Sequence, residues 1–108
     1  MGVKHVKNGH RHWRIRGQDG FSTIFDMKVE LGLFTQEQIE NLLKALTAKA
    51  GLNWTEIVGA YAKRGTKLAN HHLDTQWDFP TCTCGSNPHF NASIVDEAGQ
   101  IVSKRGAQ

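Results

Sequence analysis

Proline and cysteine occur only twice each in this 108-residue chain, tyrosine once, and no apolar run comes near the length of a membrane span. Scarce proline and the lack of any low-complexity tract exclude an extended or disordered chain. No fixed-period self-similarity is present, which excludes a solenoid. A transmembrane helix needs roughly 20 consecutive apolar residues, so no membrane association is expected. The opening Met1-Gly2-Val3-Lys4-His5 lacks the apolar core of a secretory signal, and a cytoplasmic location is expected. Two thiols stay reduced there, which argues against a disulfide and leaves the sequon Asn91-Ala92-Ser93 without meaning.

Catalytic signatures are missing too. The chain has no Gly-rich phosphate loop, no nucleophile elbow, no H-E-x-x-H and no C-x-x-C partnered with H-x-E. Without a positioned acid, base and nucleophile, a non-enzymatic role is the better expectation.

Acids are absent from residues 1–17, which carry Lys4, Lys7, Arg11, Arg14 and Arg16, whereas 26–56 hold five acids against three bases. A positive N-terminal arm favours an anionic partner, either nucleic acid or an acidic protein face. Asn8-Gly9 is the pair that a two-residue type I′ turn requires, so a β-hairpin is expected over 3–16. In its second strand Trp13 and Ile15 alternate with His12, Arg14 and Arg16, which sends the aromatic to the core and the cations to the other face. His10 extends that basic ribbon. Its competing reading is a solvated strand face that discourages edge pairing.

Gly17-Gln18-Asp19-Gly20 is expected to turn the chain into a third strand at about 23–31, where Phe25, Met27, Val29 and Leu31 alternate with Asp26, Lys28 and Glu30. Thr35 with Gln38 forms a capping box, and Phe34 can staple onto Ile39. A helix is expected over about 36–50, with Ile39, Leu42, Leu43 and Leu46 as its apolar stripe and Gly51 as a left-handed stop. Asn53 with Glu56 opens a second helix at about 54–64, whose stripe is Trp54, Ile57, Val58 and Tyr61 and whose end is Gly65. The cations Lys63, Arg64 and Lys67 follow it, where they complement the helix dipole. Residues 66–89 show no period and read as a long loop; 90–104 read as a final hairpin turning at Asp96-Glu97-Ala98-Gly99. The whole is expected to be one α+β domain: a small antiparallel sheet with a two-helix hairpin on one face.

The long loop holds both thiols and three of the six histidines within nineteen residues. Cys82, Cys84 and His89, with His71 or His72, supply the residue types of a Cys2His2 zinc site that would staple the loop. C-x-C is a weaker signal than C-x-x-C. The competing reading makes Cys82 and Cys84 small apolar side chains, with Trp77, Phe79 and Pro80 packing the loop onto the core. His71, His72, Asp74 and Asp78 also have the composition of a metal-dependent hydrolase, and Cys84 with His89 that of a thiol nucleophile and its base.

The expectation is therefore a small regulatory binding protein that engages nucleic acid or a nucleoprotein complex through the basic hairpin, with a structural zinc. The alternative is an inhibitor that binds a host protein directly, of the kind phages and other mobile elements encode against transcription or defence machinery, anti-CRISPR proteins included.

Overall fold

The structure is a computed structural model and describes residues 11–102. It contains β1 (His12–Asp19), β2 (Ser22–Glu30), a 3-10 turn (Leu31–Leu33), α1 (Gln36–Gly51), α2 (Trp54–Tyr61), β3 (Thr75–Asp78), β4 (Thr81–Gly85) and β5 (His89–Val95). The strands form one antiparallel sheet in the order β2-β1-β5-β4-β3, so the α+β architecture expected from the sequence is the one observed. No helix among the described residues is long and apolar enough to cross a membrane.

Side-chain alternation builds the core. Trp13, Ile15, Cys82, Cys84, Phe90 and Ala92 point to the same face, and Ile39 and Leu43 of α1 close over them, all at most 3% exposed. Both helices start where their capping boxes lie. Thr35 Oγ1 accepts from the Gln38 amide at 3.1 Å while the Gln38 side chain accepts from the Thr35 amide at 2.9 Å. Asn53 and Glu56 repeat the exchange at 2.8 and 2.9 Å. Each cap satisfies amides that a helix start otherwise leaves without partners. Trp77 Nε1 donates to Glu40 Oε2 at 2.5 Å, which ties the edge strand β3 to α1.

Several expectations are corrected. Residues 12–16, the described half of the hairpin expected over 3–16, belong to a central strand: β1 pairs with β2 on one edge and β5 on the other from His12 to Gln18. Residues 3–7 and the Asn8-Gly9 turn lie outside the described residues. Gly17 and Gln18 continue β1 rather than turn it, and the reversal falls at Gly20-Phe21, with Gly20 at φ +64°. Gly17 is needed for another reason, because a Cβ there would lie 2.3 Å from the Phe90 ring.

Gly51 ends α1 without a left-handed conformation; a side chain there would strike Pro88 at 2.6 Å. α2 stops at Tyr61, before Gly65. Of its expected core stripe, Trp54, Val58 and Tyr61 are exposed and Ile57 is half-buried. The expected loop 66–89 contains the hairpin β3–β4, in which Cys82 faces Trp77 and Cys84 faces Thr75. The final hairpin is reduced, among the described residues, to β5 and a single bridge from Val95 to Ile101.

Candidate binding surface

α1 lies on the face of Cys82 and Cys84, so the alternate residues of the strands make a second, polar face. Antiparallel register sets them in rows across the sheet. Gln76, Thr83, Asn91, Arg16 and Asp26 are successive partners from β3 to β2, and Asp78, Thr81, Ser93, Arg14 and Lys28 form the next row. With strands about 4.8 Å apart, Gln76 and Arg16 stand roughly 14 Å from each other. None of the strand residues described on this face is Phe, Tyr or Trp.

The two arginines of β1 occupy different electrostatic positions. Arg14 Nε and Nη2 donate to Asp26 at 3.1 and 2.8 Å, a two-point grip. That hydrogen bonding holds the Asp26 carboxyl below the usual carboxylate range, aided by the nearby charges of Arg14, Arg16 and Lys28, and it raises Arg14. Arg16, by contrast, has its Nε shielded from solvent and without a hydrogen-bond partner among the described residues. The same is true of His12 Nδ1 on this face, and of Trp13 Nε1 on the other. A buried donor left without an acceptor costs about 1–3 kcal/mol.

Depressions flank the rows. One of about 380 Å³ is bounded by Arg14, Asp26, Lys28 and the 97–99 turn. The other, of about 620 Å³, lies at the β3–β4 end and is lined by His71, His72, Asp74, Gln76, Thr83 and Ser86. Its wall is held by a clasp. His71 Nδ1 lies 2.7 Å from Asp74 Oδ2, Arg64 donates to the other Asp74 oxygen, and Arg64 Nη1 donates to the Asn70 carbonyl at 2.5 Å. Burial works to raise Asp74, but the hydrogen bonds from His71 and Arg64 outweigh it and the carboxyl is lowered. Asn70 in turn donates to the Glu56 carbonyl at 3.0 Å, which anchors the clasp on α2.

The residues expected to hold zinc are not gathered into one set. Cys82 and Cys84 are at most 1% exposed on the helix-covered face. Burial pushes the Cys82 thiol up to about 11 and raises Cys84 as well. His71 and His72 line the groove on the polar face, and His89 Nδ1 lies 3.2 Å from the Ser86 carbonyl. Among the described residues no three His, Cys, Asp or Glu side chains are placed to hold a metal ion. Asp78, the remaining member of the hydrolase composition, sits one row beyond the groove.

His12, Arg14 and Arg16 share one face as their parity requires, and Arg11 is exposed beside them; Lys4, Lys7 and His10 lie outside the described residues. The amides and hydroxyls of Gln76, Thr83 and Asn91 were not singled out from the sequence. Their signal was the alternation Thr81-Cys82-Thr83-Cys84, which has the period of a strand. No family model, curated protein or solved structure matches the chain.

Proposed function

We propose that this protein is a small non-enzymatic binding protein that holds a phosphate-bearing strand, nucleic acid, across the polar face of its sheet. The observation that carries the reading is Arg16 itself, half-buried at the centre of that face and without an ion pair among the described residues, whereas Arg14 is held by Asp26. A phosphate oxygen is the acceptor such a guanidinium matches best, because its fork of donors fits a tetrahedral oxyanion. From Arg16 the row Asn91, Thr83, Gln76 leads to the groove of His71 and His72. These are amides and hydroxyls suited to sugar and phosphate oxygens.

The strand residues described on this face include no stacking aromatic, so contacts fall on the backbone and sequence preference is weak. Charge is balanced locally by Asp26, which makes the affinity modest and leaves Arg16, rather than the whole ribbon, as the centre of recognition. The test is amide-resonance mapping with a short oligonucleotide. Shifts concentrated on Arg16, Asn91, Thr83 and Gln76 support the reading. Shifts confined to the helices, or none, contradict it.

A further inference from the structure

α2 meets the body through its buried glycine and the partly buried Ala60, not through its large aromatic side chains. Gly59 is the buried residue of this helix, and a Cβ on it would meet the Leu68 carbonyl at 2.3 Å and the Asn70 side chain at 2.6 Å. At 100° per residue the stripe Trp54, Val58, Tyr61 lies on the other side of the helix. Those side chains are 89%, 57% and 64% exposed. An apolar stripe at i, i+4 and i+7 that is turned to solvent is the arrangement by which a helix inserts anchors into a groove. Trp and Tyr are also the residues that most often dominate interface energies.

The surroundings of the stripe indicate what covers it. Lys44 Nζ lies 6.0 Å from the centre of the Tyr61 ring, and Lys63 and Lys67 are exposed just beyond the end of the helix. Arg64, between them, is committed to Asp74. A cation-flanked apolar stripe is complementary to an apolar groove with an acidic rim. The chain's own ends do not supply that complement, since residues 1–10 and 103–108 contain Lys4, Lys7, Lys104 and Arg105 and no acid. A single-stranded nucleic acid fits less well: α2 offers a convex surface with the aliphatic Val58 between its aromatics, whereas base stacking uses grooves lined by successive rings.

We infer that the Trp54–Val58–Tyr61 face of α2 docks into an acidic-rimmed apolar groove on a second protein. This surface is separate from the polar sheet face and does not depend on the reading given for it. If both hold, the chain bridges a nucleic acid and a protein.

The test uses a defined groove of this chemistry, the isolated C-terminal lobe of calcium-loaded calmodulin, and the full chain by titration calorimetry, with no nucleic acid present. The expected result is calcium-dependent 1:1 binding, weakened at least about tenfold by Trp54→Ala and weakened also by the double change Lys63→Glu, Lys67→Glu. Circular dichroism of each variant establishes that α2 and the sheet remain folded. Absence of binding, or binding indifferent to these substitutions, overturns the inference. So does a self-associated chain in sedimentation that Trp54→Ala makes monomeric, which would make a second copy the occupant. Quenching of tryptophan fluorescence by an oligothymidine that both Trp54→Ala and Tyr61→Ala abolish would equally overturn it, in favour of stacking.

Discussion

Arg14 reaches diagonally across the β1–β2 pair to grip Asp26, although the residue directly opposite it is Lys28. The choice follows from charge, since opposed cations repel and the diagonal carboxylate neutralises one of them. Asp26 thereby withdraws a cation from the polar face. Asp26→Ala should tighten oligonucleotide binding and steepen its salt dependence by about one phosphate equivalent, a slope change of ~0.7–0.9 in log K against log salt. An unchanged slope would mean that Arg14 lies outside the contact. Asp26 is lowered when folded, so the pair's stabilisation is present above the usual carboxylate range and is lost as pH falls through the depressed value.

The thiols give a test with the opposite sign. An unfolded cysteine titrates at its ordinary value of 9.0, whereas buried Cys82 is raised to about 11. Between those values the folded chain holds the proton more tightly, so stability should be full below pH 9 and decline as pH rises through 11. Urea unfolding midpoints at pH 8 and at pH 10 measure this. In the folded protein at pH 8 a soluble disulfide reagent should modify Cys82 and Cys84 only as fast as the chain opens. Rapid modification would contradict the buried placement.

Gly17 lies under the Phe90 ring, and this contact supports the central strands. Gly17→Ala should destabilise the domain by about 1–3 kcal/mol through overpacking. Adding Phe90→Leu should recover part of the loss, since the clash is with the ring. Chemical denaturation of the three variants decides it, and additive losses would mean that the two positions are uncoupled.

The groove wall depends on Asp74. Asp74→Asn weakens the charge-assisted hold of Arg64 and His71, so hydrogen exchange should accelerate over residues 64–74 while β1 and β5 keep their protection. Acceleration across the whole sheet would show the clasp to be part of the global core.

Elements fixed by local chemistry were legible in the sequence. The capping pairs Thr35–Gln38 and Asn53–Glu56 placed both helix starts, and the parity of His12 to Arg16 placed Trp13 and Ile15 inside. Elements fixed by tertiary context were not. β3–β4 was hidden because its strands are only four and five residues long and are joined by Phe79-Pro80, which lacks the Asn-Gly or Asp-Gly signal of a two-residue hairpin turn. The stripe of α2 has the spacing of a core face. Only the close approach at Gly59 decides that it points outward, and helical periodicity does not encode which side of a helix meets the body. Cys82 and Cys84 have the residue type of metal ligands, but their strand parity, hidden in the sequence, puts both on the helix-covered face. Of the site, the cations were found, whereas the row Gln76, Thr83, Asn91 required the sheet order.

Arg16 is the proposed phosphate-binding centre of the polar face. The direct measurement is the affinity of Arg16→Ala for a short oligonucleotide, compared with the unaltered chain over a series of salt concentrations, with circular dichroism confirming the fold. Weaker binding on every sequence tried and a salt slope reduced by about one phosphate contact are expected. Equal affinities and equal slopes would contradict it and remove the polar face as the binding surface.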